Sequence, residues 1–423
     1  MLLQFNFKNF KSFRDDTTLD LTATKMSEYS ERVISIGRER ILPVAAIFGA
    51  NAHGKSNVLD AFRYMSMYVI NSFGFGGNND SRTNKFPYRA TPFLFDENSR
   101  DAESSFEVYF IDSEKDGAKI YNYGFTVNNE GVNEEWLNYS TKSSNGKFKK
   151  IFYRNESESE LDLTGLPSRM QENIKISLQK EALIVSLGAK LKIQRLNHIM
   201  EWFKKNECTD FGNPEENLFM SKTIPTDFAD DEKVRKNVLK YFSVFDSSIV
   251  DFHVETIKSE QADLDGKFSI DSYHRMIGSD KLASIPLERE SAGTLKMFAL
   301  YPYLQRVLET GGVLLIDELN AKLHPLLVRT FLITFLNTEL NKNHAQLIFT
   351  THDVWQINSS GLRRDEIWFT EKNSDGISTL YSLSDFLDED GVKIRKDENY
   401  EKNYLLGKYG AVPTLSCFDM FEV

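Results

Sequence analysis

The sequence predicts an α/β fold: a mixed sheet with an antiparallel part, built from both ends of the chain and interrupted by a large α+β insertion. Three observations predict it. Residues 41–48 (ILPVAAIF) are an apolar, β-branched-rich run of buried-strand character, followed by a glycine-bounded loop and a segment of helical spacing. Residues 312–316 (GVLLI) and 345–349 (AQLIF) are two more short apolar strands, with an apolar helix between them. From Pro92 to Leu137 the pattern changes to short alternating runs joined by polar turns, which reads as antiparallel pairing.

The totals bound what such a chain does. Its 423 residues are long for one core and imply two lobes. A hydrophobic fraction of 41% and a charged fraction of 27% are ordinary for a soluble globular protein. A net charge of −11 argues against a surface that coats nucleic acid, while leaving room for a local basic patch. Cys208 and Cys417 have neither metal-ligand spacing nor the density of a disulfide scaffold, so a reducing, cytoplasmic location is expected. No apolar run reaches the roughly 18 residues of a membrane helix, and the opening MLLQFNFKNFKSF alternates like a strand rather than a signal peptide.

Taken in order, Leu3, Phe5 and Phe7 alternate with polar residues and predict a first strand with one buried face. Residues 9–13 (NFKSF) turn away, residues 18–21 read as a second strand, and residues 26–40 as a polar loop. Residues 49–56 (GANAHGKS) then fit G-x-x-x-x-G-K-[ST], the phosphate-binding loop, without a mismatch, and residues 57–67 continue as a helix. The residue types suit the chemistry. Gly49 and Gly54 let the backbone curl so that its N–H groups face phosphate oxygens. The helix start adds positive potential. Lys55 reaches the β and γ phosphates and the Ser56 hydroxyl ligands Mg²⁺. The expected cofactor-binding stretch is Gly49, Ala50, Asn51, Ala52, His53, Gly54, Lys55, Ser56 and Asn57.

Residues 74–84 are a Gly/Asn-rich break, a connector or plain surface loop. Strands are predicted at 105–111, 120–127 and 134–139. Lys147, Lys149 and Lys150 lie beside Phe148 and Phe152, a pattern that suits nucleic acid but better suits a solvated hairpin edge. Residues 167–205 are helical, interrupted at Gly188 and too irregular for a coiled-coil arm. A polar stretch broken by Pro214 and Pro225 follows, then a helix at 234–245 and strands at 249–257 and 267–276. The α/β pattern resumes with a helix at 293–308, the strand 312–316, a helix at 326–340, the strand 345–349, and shorter strands at 366–370 and 378–383.

Strand 312–316 ends in Asp317-Glu318, a Walker B element: the first carboxylate meets the Mg²⁺ held by Ser56, and Glu318 polarises a water. Ser291 and Gly293, in ESAGT, offer hydroxyl and N–H donors at a helix start; in isolation this is an ordinary Ser N-cap. His352 follows a buried strand, where combination with Asp317 and Glu318 points to a γ-phosphate or water contact. Asp385, Asp388, Glu389 and Asp390 read as a solvated acidic loop rather than a metal cluster.

The order NFKSF, GANAHGKSN, ESAGT, IDELNAKLHP, TTHD resembles the ABC-type P-loop ATPase heads of the SMC and OLD superfamily, and among these the small RloA-like, abortive-infection ATPases of bacterial phage-defence operons. Arg395-Lys396-Asp397 and the run from Tyr404 to Pro413 are similar to that group's C-terminal motif. The resemblance covers residues 1–70 and 285–413. It implies that two heads sandwich two ATPs: the phosphate loop of one faces Ser291 and Gly293 of the other. It also implies that Asp317 holds Mg²⁺, Glu318 is the general base, His352 senses the γ-phosphate, and Asn320 to His324 cross the interface. His53 and Lys322 stand where the family has small residues, and no glutamine between Asn57 and Met170 supplies the usual Q-loop ligand.

The expected organisation is residues 1–74 and 286–423 as two parts of an ATPase head, with 75–285 as an inserted β-rich and helical lobe. The expected function is ATP binding and slow or partner-regulated hydrolysis by a homodimer or higher homo-oligomer. That assembly controls a separate effector, a nuclease or toxin encoded nearby, in anti-phage defence. The alternative is a DNA-repair SMC-like ATPase or an OLD-like nuclease-associated ATPase acting on DNA. Roughly 70 residues follow His352, too few for an OLD nuclease domain. A transporter ATPase fits worse, given the missing glutamine and the large insertion, and a non-hydrolysing scaffold stays open.

Overall fold

The computed structural model describes residues 1–75, 89–114, 117–144, 146–213, 228, 231–243, 245–257, 267–359, 361–387, 391, 394–395 and 398–413. Most of the Gly/Asn-rich break, Pro214, Pro225, residues 388–390, Lys396, Asp397 and Cys417 lie outside the described residues.

Strands β1 (Leu2–Lys8) and β2 (Thr17–Asp20) pair antiparallel and bury Phe5, Phe7 and Leu19. The segment expected as a loop holds a small hairpin, β3 (Ile34–Ile36) and β4 (Glu39–Ile41). Its apolar positions are too few to stand out among the charges around them. The run expected as one strand over 41–48 is divided, because Pro43 has no N–H to continue a ladder. Ile41 ends β4, the Leu42 N–H turns to Leu21 O (2.8 Å), and β5 (Val44–Phe48) starts afresh with all five side chains buried.

Helix α1 (Lys55–Asn71) follows the loop after β5, and the short α2 (Glu97–Asp101) leads to a meander. The meander is β6 (Ser104–Glu114), β7 (Gly117–Asn128), β8 (Gly131–Thr141), β9 (Lys149–Asn155) and β10 (Glu160–Asp162). It adds to β1 through Phe7↔Phe106 and Phe5↔Val108, giving one seven-stranded antiparallel sheet, β10-β9-β8-β7-β6-β1-β2. The basic segment leads into β9: Lys150 pairs with Asp162 (2.5 Å), Phe152 is buried, and Phe148, just before the strand, packs edge-on against Tyr109.

The helical stretch is three helices, α3 (Ser168–Ser177), α4 (Ile184–Lys190) and α5 (Gln194–Lys204). The first break turns the carbonyls of Gln179, Lys180 and Ala182 onto the buried Arg154 guanidinium. The second falls at Lys192, whose φ is +56°. Gly188 was expected to interrupt the helix and does not: it lies inside α4, where a Cβ would stand 2.1 Å from Leu196 Cδ1. Trp202 of α5 stacks on Phe110 at 4.1 Å, so these helices lie in the core.

Strand β11 (Glu207–Asp210) is followed by α6 (Glu232–Phe242) and by the three-stranded sheet of β12 (Ile249–Ile257), β13 (Lys267–Arg275) and β14 (Leu282–Pro286). Then come α7 (Ala292–Thr310), β15 (Val313–Asp317), α8 (Pro325–Leu336), β16 (Gln346–Thr350) and α9 (Trp355–Ser359). The last elements are β17 (Ile367–Lys372), β18 (Ser378–Ser382) and α10 (Tyr400–Leu405). The second sheet runs β11-β15-β16-β5-β17-β18, parallel except at β18. Its two centre-most neighbours, β16 and β5, come from opposite ends of the chain, and the phosphate loop leaves the same end of the sheet as Asp317 and Thr350. Tyr404 and Tyr409 stack on Phe369 of β17 at 5.3 and 5.8 Å and fasten the C-terminal motif to that sheet.

Candidate nucleotide site

The loop between β5 and α1 is shaped by what surrounds it. Gly49 has φ +155°, and a Cβ there would meet Thr370 O at 2.6 Å. Gly54, the residue before α1, has φ +100°, and its Cβ would meet the hydroxyls of Ser378 and Ser12. Ser12 belongs to the NFKSF turn; it accepts from Asn57 Nδ2 (2.7 Å) and is bonded to Ser378 (2.8 Å). The first turn of the chain and β18 thus clamp the loop from outside. Ala50 is buried, whereas Asn51 and Ala52 are exposed. Ala52 has φ +62°, which turns this stretch of backbone outward.

The Lys55 ammonium is buried and folds back onto the loop, donating to Gly49 O (2.9 Å) and Ala50 O (3.0 Å). Burial lowers its pKa to about 8, against the opposing pull of Asp317 and Glu318. His53 has a buried Nδ1 with no partner among the described residues. Partial burial holds it below the ordinary imidazole range, with the Thr370 backbone as its hydrogen-bond partner.

Asp317 closes β15 and is nearly buried. Thr350, at the end of β16, donates its hydroxyl to Asp317 Oδ1 and accepts from the Glu318 N–H (2.9 Å). One threonine therefore fixes both carboxylate residues. Asn320 Oδ1 accepts from Thr351 Oγ1 (2.9 Å) and from the His352 N–H (3.3 Å), joining the turn after β15 to the one after β16. His352 opens to solvent on one side; partial desolvation, then the Lys55 charge, lower its pKa, while Asp317 and Glu318 oppose that.

Ser56 and Asp317 line one narrow cavity of about 20 Å³, together with Asp60, Arg63 and Asp210. That volume takes one water-sized species. Hydroxyl and carboxylate oxygens suit a small hard cation, so Ser56 and Asp317 fit Mg²⁺. Asp210 was not foreseen. It ends β11 in parallel register with Asp317, and nothing in the polar sequence around it marks it.

Ser291 is the N-cap of α7: Oγ accepts from the Thr294 N–H at 3.1 Å. Gly293 lies against the backbone of Lys322, whose φ is +60°. Within one copy, the start of α7 with Ser291 and Gly293 therefore sits against the Glu318–Lys322 turn. The structure gathers Lys55, Ser56, Asp317, Glu318, Thr350 and His352, and leaves Ser291 and Gly293 beside that turn. Lys296 was also missed; a charge in the apolar run LKMFALY was its one signal.

The model of the family described as "AAA domain, putative AbiEii toxin, Type IV TA system" matches residues 44–354. The chain belongs to this family. The AAA-domain chain is also similar to three solved structures. One is the Smc head bound to the C-winged helix domain of ScpA (16% identity, 93% of this chain and 99% of that one, TM-score 0.41). The second is the SMC head domain from Thermotoga maritima (15%, 90% and 98%, 0.39). The third is the Smc head with an extended coiled coil bound to the C-terminal domain of ScpA from Pyrococcus furiosus (17%, 90% and 96%, 0.40). No curated protein matches the chain. Among the described residues no helix is long and apolar enough to cross a membrane.

Proposed function

We propose that this AAA-domain protein hydrolyses ATP to ADP and phosphate. The observation that supports this most is the Thr350 bridge, which holds Asp317 and the Glu318 backbone in one arrangement beside the phosphate loop. Lys55 gives up its bonds to Gly49 O and Ala50 O and takes the β and γ phosphates. Ser56 and Asp317 hold Mg²⁺, which neutralises phosphate charge when bound. Glu318 accepts a proton from a water whose oxygen attacks the γ-phosphorus, and the bond to the β–γ bridging oxygen breaks, releasing ADP. His352 hydrogen-bonds a γ-phosphate oxygen.

The place of Ser291 and Gly293 at the start of α7, against the Lys322 backbone and not on the phosphate loop, supports a second reading: two copies close around ATP, each lending that helix start to the other. Residues 1–74 and 286–423 then act as the head together with β11, which adds to its sheet, and the rest of 75–285 is the insertion that contacts a separate effector in bacterial anti-phage defence. The deciding experiment weighs the purified protein in solution with and without ATP·Mg²⁺, wild type beside Glu318→Gln, with phosphate release read on the same samples. An ATP-dependent rise in mass that persists in Glu318→Gln while turnover is lost supports the whole scheme. Unchanged hydrolysis in Glu318→Gln rejects Glu318 as the base, and unchanged mass rejects the closing pair.

A further inference from the structure

The turn after Asp317 carries backbone that its residues do not choose. Glu318 has φ +51° and Lys322 +60°, left-handed conformations that are strained for a non-glycine residue. Something must hold Glu318 there. From the β16 side, Thr350 accepts the Glu318 N–H (2.9 Å) through Oγ1 and the Leu319 N–H (3.1 Å) through its carbonyl. That fixes the N–H groups of the turn. Its carbonyls converge on one side chain from the opposite direction.

That side chain is Lys296, in the second turn of α7. Its ammonium donates to Leu319 O (2.7 Å), Ala321 O (2.8 Å) and Glu318 O (3.2 Å), and lies 4.0 Å from the centre of the Phe211 ring. Lys296 is 6% exposed. An ammonium has three N–H donors and no acceptor, so three carbonyls satisfy it fully; a neutral amine leaves one of them bare. Burial lowers its pKa to about 7, with Glu318 opposing the shift and Lys322 adding to it. Phe211 is itself tied to the strand end, its N–H donating to Asp317 O at 3.2 Å.

We propose that Lys296 is a positioning residue for hydrolysis: it clamps the Glu318–Ala321 turn so that the Glu318 carboxylate faces the γ-phosphate. The clamp starts five residues after Ser291 on the same helix. Any tilt of α7 on closing over nucleotide therefore pulls directly on the turn that carries Glu318. This inference rests on Glu318 being the general base, and the test separates the two.

Full-length Lys296→Met is compared with wild type and Glu318→Gln in three readouts: turnover, affinity for a fluorescent ATP analogue, and amide exchange of the segment 317–324. The clamp predicts that Lys296→Met lowers kcat by roughly 10- to 100-fold, the size of a misplaced catalytic group. Nucleotide affinity stays within about threefold. Exchange in 317–324 speeds by an order of magnitude or more, with α1 and the antiparallel sheet unchanged. A purely structural lysine instead speeds exchange throughout and lowers affinity and kcat together, and that outcome overturns the proposal. So does wild-type kcat in Lys296→Met beside an inactive Glu318→Gln. Full turnover in Glu318→Gln, or none in wild type, overturns the reading of Glu318 and the clamp with it. If Lys296→Met does not fold, Phe211→Leu removes the aromatic face and keeps the three hydrogen bonds. It should lower kcat by a few fold and speed exchange in 317–324, and no change in either sinks the clamp.

Discussion

The phosphate loop and the turn after Asp317 each enclose a buried lysine whose charge is held by backbone carbonyls, and the two are satisfied differently. Lys55 has two carbonyl partners, both on the loop that surrounds it. Lys296 has three, all on a turn distant in sequence, with an aromatic ring beneath. An ammonium with a donor to spare exchanges its partners for a ligand at little cost. A saturated one breaks three charge-assisted bonds to do so, each of roughly 1.5–3 kcal/mol. The comparison assigns Lys55 to the ligand and Lys296 to the protein's own backbone.

The sharpest break of that comparison is Lys55→Ala. It should weaken ATP binding by at least about a hundredfold, since a desolvated charge contact to phosphate is lost, whereas Lys296→Met leaves binding almost intact. Equilibrium binding of a fluorescent ATP analogue to both variants reads the contrast, and equal losses would erase the distinction. Glu318→Gln comes next. It should lower turnover by a factor of about 10²–10⁴, the range for a general base, with binding preserved. Single-turnover phosphate release measures it.

Thr350→Val should be smaller. Valine keeps the shape, but Asp317 loses its donor and the Glu318 N–H its acceptor. Groups that orient a metal ligand typically account for about 10- to 100-fold in metal affinity or activity. A rise of that order in the Mg²⁺ concentration for half-maximal turnover is expected. If the Mg²⁺ requirement is unmoved and only the melting temperature falls, Thr350 is packing.

What the sequence made legible follows from how far apart the partners are. Gly49 to Asn57 is contiguous, and its strand–loop–helix context is local. The strand at Val313–Asp317 is fully buried and reads as an unbroken apolar run. Partners set by topology were hidden. Asp210 gains its place by β11 pairing with β15, more than a hundred residues away. Lys296 matters through carbonyls, which carry no sequence signal. The division at Pro43 was visible in the residue itself and was overridden by the hydrophobic run around it. Gly188 was misread because a glycine that permits close packing looks the same in sequence as one that ends a helix.

The same test of saturation extends to acids, with least effect on the nucleotide site. Glu366 is fully buried; Oε2 accepts the Arg363 N–H (2.8 Å), and Oε1 has no partner among the described residues. Burial, reinforced by Asp365 and opposed by the Arg363 N–H and charge, raises its pKa from 4.5 to about 8. The native state then holds a proton that the unfolded chain has released between those values. Stability from this group is complete below pH 4.5, falls by up to about 1.4 kcal/mol per pH unit above it, and levels off past pH 8. Glu366→Gln removes that slope. Denaturant midpoints at pH 5 and pH 8 should therefore fall less for Glu366→Gln than for wild type, with ATP affinity unchanged at either pH. Parallel curves for the two proteins would mean that Glu366 stays ionised and that its second oxygen finds water.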